Sequence, residues 1–71
     1  VSYMSKLIND LVGKQCIIRS EFIFSFAGKT ELSCKIIDAD DEWIKICYTE
    51  KKDKQVVKLM RIENIDSIEE Q

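Results

Sequence analysis

The chain has 71 residues, the size of one small domain, and we treat residues 1–71 as a single domain. Hydrophobic residues make up 45% and charged residues 34%, a globular composition that excludes an intrinsically disordered chain. The formal net charge is −2, and no apolar run approaches the roughly 20 residues that span a bilayer, so we expect no membrane segment. So small a core is marginally stable alone, and association with further copies is one way to stabilise it.

The first periodic segment is helical. Met4, Leu7, Ile8 and Leu11 follow the i, i+3, i+4, i+7 spacing of a core-facing stripe, which predicts a helix over about residues 3–12. Gly13 suits the left-handed position after its end. A helix this short is unstable alone in water, so the apolar stripe is expected to dock on the rest of the fold.

From residue 14 the apolar period changes to two, which is typical of strands. Phe22, Phe24 and Phe26 share the phase of Cys16 and Ile18, and they predict one long strand over about residues 14–26 that bends around a barrel. We interpret the three phenylalanines as a core or interface stripe. Further strands are predicted at about residues 31–38, 42–50, 54–62 and 66–69.

The last two strands have distinctive patterns. The strand over residues 54–62 is apolar on both faces, which indicates that the helix, another strand or a neighbouring subunit covers it. Ile62, Ile65 and Ile68 recur every third residue, which fits a short 3₁₀ turn before the final strand. The predicted fold is therefore mainly β: a short N-terminal helix and a five-stranded, strongly bent antiparallel barrel.

The three cysteines are predicted to be structural. Cys16, Cys34 and Cys47 lie in apolar runs without CxxC spacing, and the chain has no histidine to complete a zinc site. We expect free thiols packed as small hydrophobes, a cytoplasmic location, and no metal or cofactor.

The order of elements resembles the Sm/LSm/Hfq family of small β-barrels. The segment from Met60 to Ile68 is similar to the family's second motif: Met60, Arg61, Ile65 and Ile68 match, and Ile62 replaces a glycine. A more specific likeness is to small Sm-like proteins of Gram-positive bacteria, in residues 13–16 and 42–44. An SH3-like barrel of different connectivity is the competing fold.

A second segment carries the same resemblance. Residues 32–46 are similar to the family's first motif, in which Asp38 matches while Asp41 and Glu42 replace a Met-Asn pair. Glu42 would then lie in the base-recognition loop, where a carboxylate accepts hydrogen bonds but repels phosphate.

The resemblance implies a homo-oligomeric ring. In this family the fourth strand pairs with a neighbour's fifth, and RNA binds along the pore. The interface would include one residue of the last strand and four of the fourth strand: Val56, Lys58, Met60, Ile62 and Ile68.

Charge is concentrated between residues 45 and 61. Six basic residues against two acidic ones give this segment +4, which leaves −6 for the remaining residues. A basic patch can position phosphates, and an aromatic residue can stack on a base. The candidate nucleic-acid contacts are Lys51, Lys52, Lys54, Lys58, Arg61 and Trp43. The alternative is a solvated hairpin whose lysines protect an edge strand, with Trp43 serving in packing or at an interface.

No catalytic pattern is present. The chain lacks a histidine base, a GxSxG motif and a glycine-rich phosphate loop, so we expect neither an enzyme nor a small-molecule substrate. The carboxylates Asp38, Asp40, Asp41 and Glu42 suggest a Mg²⁺ or Ca²⁺ site, or a plain acidic turn. Two functions remain open: an RNA-binding Sm-like module, or a protein-interaction or oligomerisation module without nucleic acid.

Overall fold

A computed structural model describes the backbone of residues 3–71 and the side chains of residues 6–71. Two helices and five strands follow in the order α1 (Tyr3–Asn9), β1 (Gln15–Arg19), α2 (Glu21–Ala27), β2 (Glu31–Ala39), β3 (Trp43–Glu50), β4 (Lys54–Arg61) and β5 (Ser67–Glu70). Short 3₁₀ turns at Lys51–Asp53 and Ile62–Asn64 precede β4 and β5. The predicted mainly β class is confirmed.

All five strands form one antiparallel sheet in the order β4-β3-β2-β1-β5. Short turns join β2 to β3 and β3 to β4, α2 lies in the connection from β1 to β2, and β5 returns to pair with β1. The register of β2 against β3 shifts between Ile36 and Asp38, and a bulge of this kind bends the strand. Because β4 and β5 have one neighbour each, the described chain has two open sheet edges.

The core lies on one face of the sheet. Alternate residues of β1, β2 and β3 are fully buried, because successive strand side chains point to opposite faces. Ile8 of α1, Ile23 of α2, and Met60 and Ile62 complete the cluster. These side chains cover the concave side of the sheet, and the other face remains outside.

The predicted strand over residues 14–26 is wrong beyond Arg19. Ser20 ends β1 and begins α2: its hydroxyl oxygen accepts a hydrogen bond from the Phe22 N–H, and it is the helix N-cap. Gly28 ends α2 in the left-handed conformation, with φ of 73°. In a helix, Phe24 no longer shares a face with Phe22 and Phe26, and both Phe22 and Phe24 are exposed.

The first helix is shorter than predicted. It ends at Asn9, where the N–H groups of Leu11 and Val12 bond three residues back instead of four. Ile8 is buried and Leu11 half-buried, as the stripe predicts, but Leu7 is exposed. The side chain of Met4 lies outside the described residues.

Candidate functional site

The predicted nucleic-acid contacts lie at opposite ends of the β3–β4 hairpin. Glu50 pairs with Lys54 at the tip, and Trp43 pairs with Arg61 at the base. Seven residue steps separate these pairs, which corresponds to roughly 23 Å at the usual strand rise. The predicted set is therefore divided into separate groups.

The first group is the lysine tip, formed by Lys51, Lys52 and Lys54. All three side chains are exposed, and none forms a salt bridge within the described part of the chain. Lys52 and Asp53 both have positive φ, which turns the chain sharply between the two strands. The tip thus exposes three ammonium groups beside two carboxylates, Glu50 and Asp53, so residues 50–54 carry a net charge of +1.

The second group, at the hairpin base, is engaged within the chain. The guanidinium carbon of Arg61 lies 4.7 Å from the centre of the Trp43 ring, a cation–π arrangement. One Arg61 nitrogen also lies 3.6 Å from a carboxylate oxygen of Glu42. Trp43 points to the outer face, since it alternates with the buried Ile44, and one side of its ring is covered by Arg61.

Lys58 belongs to neither group. It pairs with Ile46, so its side chain leaves the same face as the core. Its ammonium nitrogen lies 4.0 Å from the centre of the Phe26 ring on α2. Lys58 therefore covers an aromatic side chain at the edge of the core.

The outer face of the hairpin is apolar. Val57 is 60% and Leu59 52% exposed, and both lie on the face that Trp43 shares. The prediction that this strand is apolar on both faces is confirmed, since Met60 is fully buried on the other side.

Both open edges present free backbone groups. The Ile62 N–H donates to the Glu42 carbonyl. Along an antiparallel pair of strands, the backbone N–H and C=O groups of successive residues point alternately toward the partner strand and away from it. Counting back from Ile62, the backbone groups of Val57 and Leu59 point away from β3. Likewise, the Gln71 N–H bonds to Gln15, so the backbone groups of Ile68 point away from β1. Each edge can therefore pair with another strand.

The predicted oligomer interface includes two residues whose side chains are buried in this chain. Met60 is 1% and Ile62 6% exposed, so they have little surface to offer a neighbour. Val56, Lys58 and Ile68 are half-buried and lie beside the open edges. The interface itself stays a prediction.

The acidic turn between β2 and β3 has a structural role. One carboxylate oxygen of Asp40 accepts hydrogen bonds from the N–H groups of Glu42, at 2.9 Å, and Trp43, at 2.8 Å. Both bonds favour the charged form of the carboxylate and so lower the pKa of Asp40. The bond from the Trp43 N–H has the larger effect. Among residues 6–71, no cluster of three potential ligands is arranged to hold a metal ion.

A cleft opens where α2 meets the tip of the β3–β4 hairpin. Phe26 and Ala27 of α2, Leu32 of β2 and Tyr48 of β3 form its apolar part, and Lys29, Thr49, Glu50 and Lys51 form its rim. We call it the mouth cleft; its volume is about 490 Å³. The sequence pattern does not indicate this cleft, because it predicts a strand where α2 lies. The signal that reveals it is Ser20 and Gly28, which bracket a short helix with Ile23 and Phe26 on one side.

Tyr48 is a buried residue, as its phase predicts, and only 7% exposed. Burial, followed by the nearby Glu50 charge, raises the pKa of its phenol. Its ring centre lies 5.7 Å from that of Phe26, with an angle of 34° between the rings. The two aromatic side chains make a common apolar wall of the mouth cleft.

Comparisons of the chain with protein-family models, with curated proteins and with solved structures found no match. Within the described residues, neither helix has the length and apolarity needed to cross a membrane.

Proposed function

We propose that the chain is a non-enzymatic, Sm-like interaction module that self-associates by pairing β4 of one copy with β5 of the next. The observation that carries this proposal is the pair of open edges in one sheet. A strand edge with unpaired N–H and C=O groups is a template for pairing, and here each chain has one such edge at each end. Repeated edge-to-edge pairing gives a ring if the rotation closes.

Charge favours pairing between unlike edges. Strand β4 carries Lys54, Lys58 and Arg61 and no acidic residue, whereas β5 carries Glu69 and Glu70 and no basic residue. Two β4 edges would bring like charges together, and so would two β5 edges, although Glu70 and Glu69 already face Lys14 and Arg19 within the chain. Opposite charges steer a β4 edge toward a β5 edge.

The exposed apolar side chains of β4 favour association of this strand with a second copy over leaving its edge open to water. Val57 and Leu59 remain more than half exposed on β4, and natural edge strands in monomers usually avoid such residues. The resemblance of residues 60–68 to the second Sm motif supports the same pairing. Burying these side chains against a second copy would remove apolar area from water.

Substitution of one edge residue tests the pairing. Val57→Pro removes an N–H that faces the open edge and breaks no hydrogen bond to β3, and proline is tolerated in edge strands. Val57→Thr is the matched control, because it keeps the N–H and the β-branched shape. In sedimentation equilibrium the native chain and Val57→Thr are expected at a multiple of 8.3 kDa, and Val57→Pro at 8.3 kDa with its far-UV spectrum retained.

Two results would contradict the proposal. One is a native chain that remains monomeric at high micromolar concentration. The other is a Val57→Pro variant that is folded and still associates, since its β4 edge can no longer donate at the centre.

RNA binding is a second candidate function, favoured by the three exposed lysines of the lysine tip, which form no salt bridge within the described part of the chain. Fluorescence anisotropy with short oligoribonucleotides over a salt series tests it, since phosphate contacts weaken steeply with salt. Joint substitution of Lys51, Lys52 and Lys54 by Gln is expected to abolish binding at low salt. The exposed pair Lys35→Gln and Lys45→Gln, on β2 and β3, is the control. Binding that survives the first set of changes excludes the lysine tip.

A further inference from the structure

The mouth cleft has the composition of a ligand site rather than of a gap in packing. Its volume of about 490 Å³ falls within the range of small-molecule pockets. Phe26, Leu32 and Tyr48 provide an apolar wall, and two ammonium groups, Lys29 and Lys51, stand on the rim. Neither lysine forms a salt bridge within the described part of the chain.

The Tyr48 hydroxyl is available in this cleft. No hydrogen bond joins it to another described residue, although the side chain is more than nine-tenths buried. Among the described residues, every side-chain nitrogen or oxygen atom that is fully enclosed has a hydrogen-bond partner. Because the Tyr48 hydroxyl has no such partner among them, it is not fully enclosed and reaches solvent. Since Tyr48 lines the cleft, its hydroxyl is a donor that a bound molecule can use.

The arrangement selects for both shape and charge. The Phe26 ring is held by Lys58, whose ammonium group lies over it, and by Phe22, whose ring meets it edge-on at 5.7 Å; the Tyr48 ring packs on Phe26 in turn. A planar ring can pack against such a fixed aromatic wall. Glu50 is the one acidic group on the rim, so the two lysines leave a net positive charge that attracts an anion.

We propose that the mouth cleft binds a planar aromatic anion, with its ring against Phe26 and Tyr48 and its negative group between Lys29 and Lys51. A nucleotide and an aromatic carboxylate share this chemistry. The site goes beyond the proposed self-association: it uses the barrel mouth and the hairpin tip, and not the β4 or β5 edge.

Titration of the ¹⁵N-labelled full chain tests the proposal by amide chemical shifts. The probes are adenosine monophosphate, 2-naphthoate and inorganic phosphate. We expect saturable shifts for residues 27–29 and 49–51 with at least one aromatic probe and none with phosphate. Saturation by the nucleotide alone, by the carboxylate alone or by both identifies which source of the shared chemistry the cleft accepts.

Four variants then assign the roles of individual groups. Lys29→Gln and Lys51→Gln are each expected to weaken binding about fivefold, and Tyr48→Phe, which removes only the hydroxyl, by a similar factor. Glu50→Gln is expected to tighten binding, because it removes the one negative group from the rim. Lys35→Gln on the outer side of β2 is the matched control and should leave the affinity unchanged.

Three outcomes would overturn the proposal. The first is the absence of saturable shifts at the mouth with both aromatic probes. The second is an equal response to inorganic phosphate, which would mean that charge alone is read. The third is binding by an aromatic probe that neither lysine substitution weakens, since the charged rim would then have no part in recognition.

Discussion

Ser20 joins two parts of this fold through one side chain. It is buried, it caps α2 by accepting from the Phe22 N–H, and its hydroxyl donates to the carbonyl of Asn64 in the turn before β5. Both hydrogen-bonding roles of the hydroxyl are therefore used. One small polar side chain thus fixes the start of a helix against the start of the last strand.

Replacing Ser20 by Ala is expected to lower the free energy of unfolding by about 2 kcal/mol, because it removes a helix cap and leaves the Asn64 carbonyl without this donor. Urea denaturation at neutral pH measures the change. Ser25→Ala is the matched control, because Ser25 is exposed and its hydroxyl bonds only to the Phe22 carbonyl one turn earlier. Equal losses in both variants would show that the buried cap has no special role.

Asp40 gives a prediction about pH. Its pKa lies below the ordinary value of 3.8 in the folded chain, since two backbone N–H groups bond to the charged form. A lowered folded pKa means that the carboxylate stabilises the fold above pH 3.8 and that this contribution is lost as pH falls through the folded pKa. Asp40→Asn keeps an oxygen acceptor but has no charge to titrate.

The free energy of unfolding should therefore fall less between pH 6 and pH 2.5 in Asp40→Asn than in the native chain. Urea denaturation at a series of pH values gives both curves. Asp41→Asn controls for the loss of one negative charge in the same turn, since it leaves both hydrogen bonds to Asp40 intact. Parallel curves for the native chain and Asp40→Asn would show that these bonds carry no charge-dependent stability.

At the level of elements, α2 shows where a period-two pattern misleads. Phe22, Phe24 and Phe26 alternate with polar or smaller residues as strand residues do, yet local capping by Ser20 and Gly28 favours one short helix. Seven residues are too few for periodicity to separate the two cases, and the burial of Ile23 against the sheet decides the outcome. In this segment the capping residues Ser20 and Gly28 indicate the observed structure, and the alternation of the phenylalanines does not.

The turn at the hairpin tip is under local strain. Lys52 has φ of 64°, a left-handed conformation that costs an ordinary residue about 1–2 kcal/mol and that glycine adopts readily. Lys52→Gly is expected to stabilise the chain by about 0.5–1 kcal/mol, since the added freedom of unfolded glycine offsets part of the gain. Thermal unfolding followed by circular dichroism measures it.

The matched control for this turn is Lys51→Gly, at a position where no positive φ occurs. There glycine relieves no strain and should lower stability slightly. A loss of stability in Lys52→Gly as large as that in Lys51→Gly would contradict the left-handed turn.

At the scale of the whole molecule, the sequence predicts the sheet better than the site. Four of the five strands begin and end within about one residue of the predicted bounds, because alternation in β2, β3 and β4 reflects one buried face. The composition of the candidate site is harder to predict, because it depends on which residues far apart in the sequence come together in the fold. The register places Lys54 far from Arg61, and α2 brings Phe26 under Lys58; neither fact is present in local sequence patterns.

The three thiols report on the stability of the whole fold. Cys16 and Cys34 are opposite each other on β1 and β2, and both are fully buried, whereas Cys47 is half-buried on the outer face of β3. Burial, followed by the charge of Glu70, raises the pKa of Cys16. For Cys34, burial, followed by the proximity of Cys16, raises the pKa to about 12. The thiolate is the reactive form, so these two are protected both by exclusion of the reagent and by protonation.

A chromogenic disulfide reagent at pH 8 should therefore release one equivalent quickly from Cys47 and two equivalents slowly. The slow phase requires global opening, so its rate should rise with urea in proportion to the population of unfolded chain. Cys47→Ser should remove the fast phase and leave the slow one unchanged. Rapid reaction of all three thiols in the absence of denaturant would contradict the buried positions of Cys16 and Cys34 and, with them, the pairing of β1 and β2 at the centre of the core.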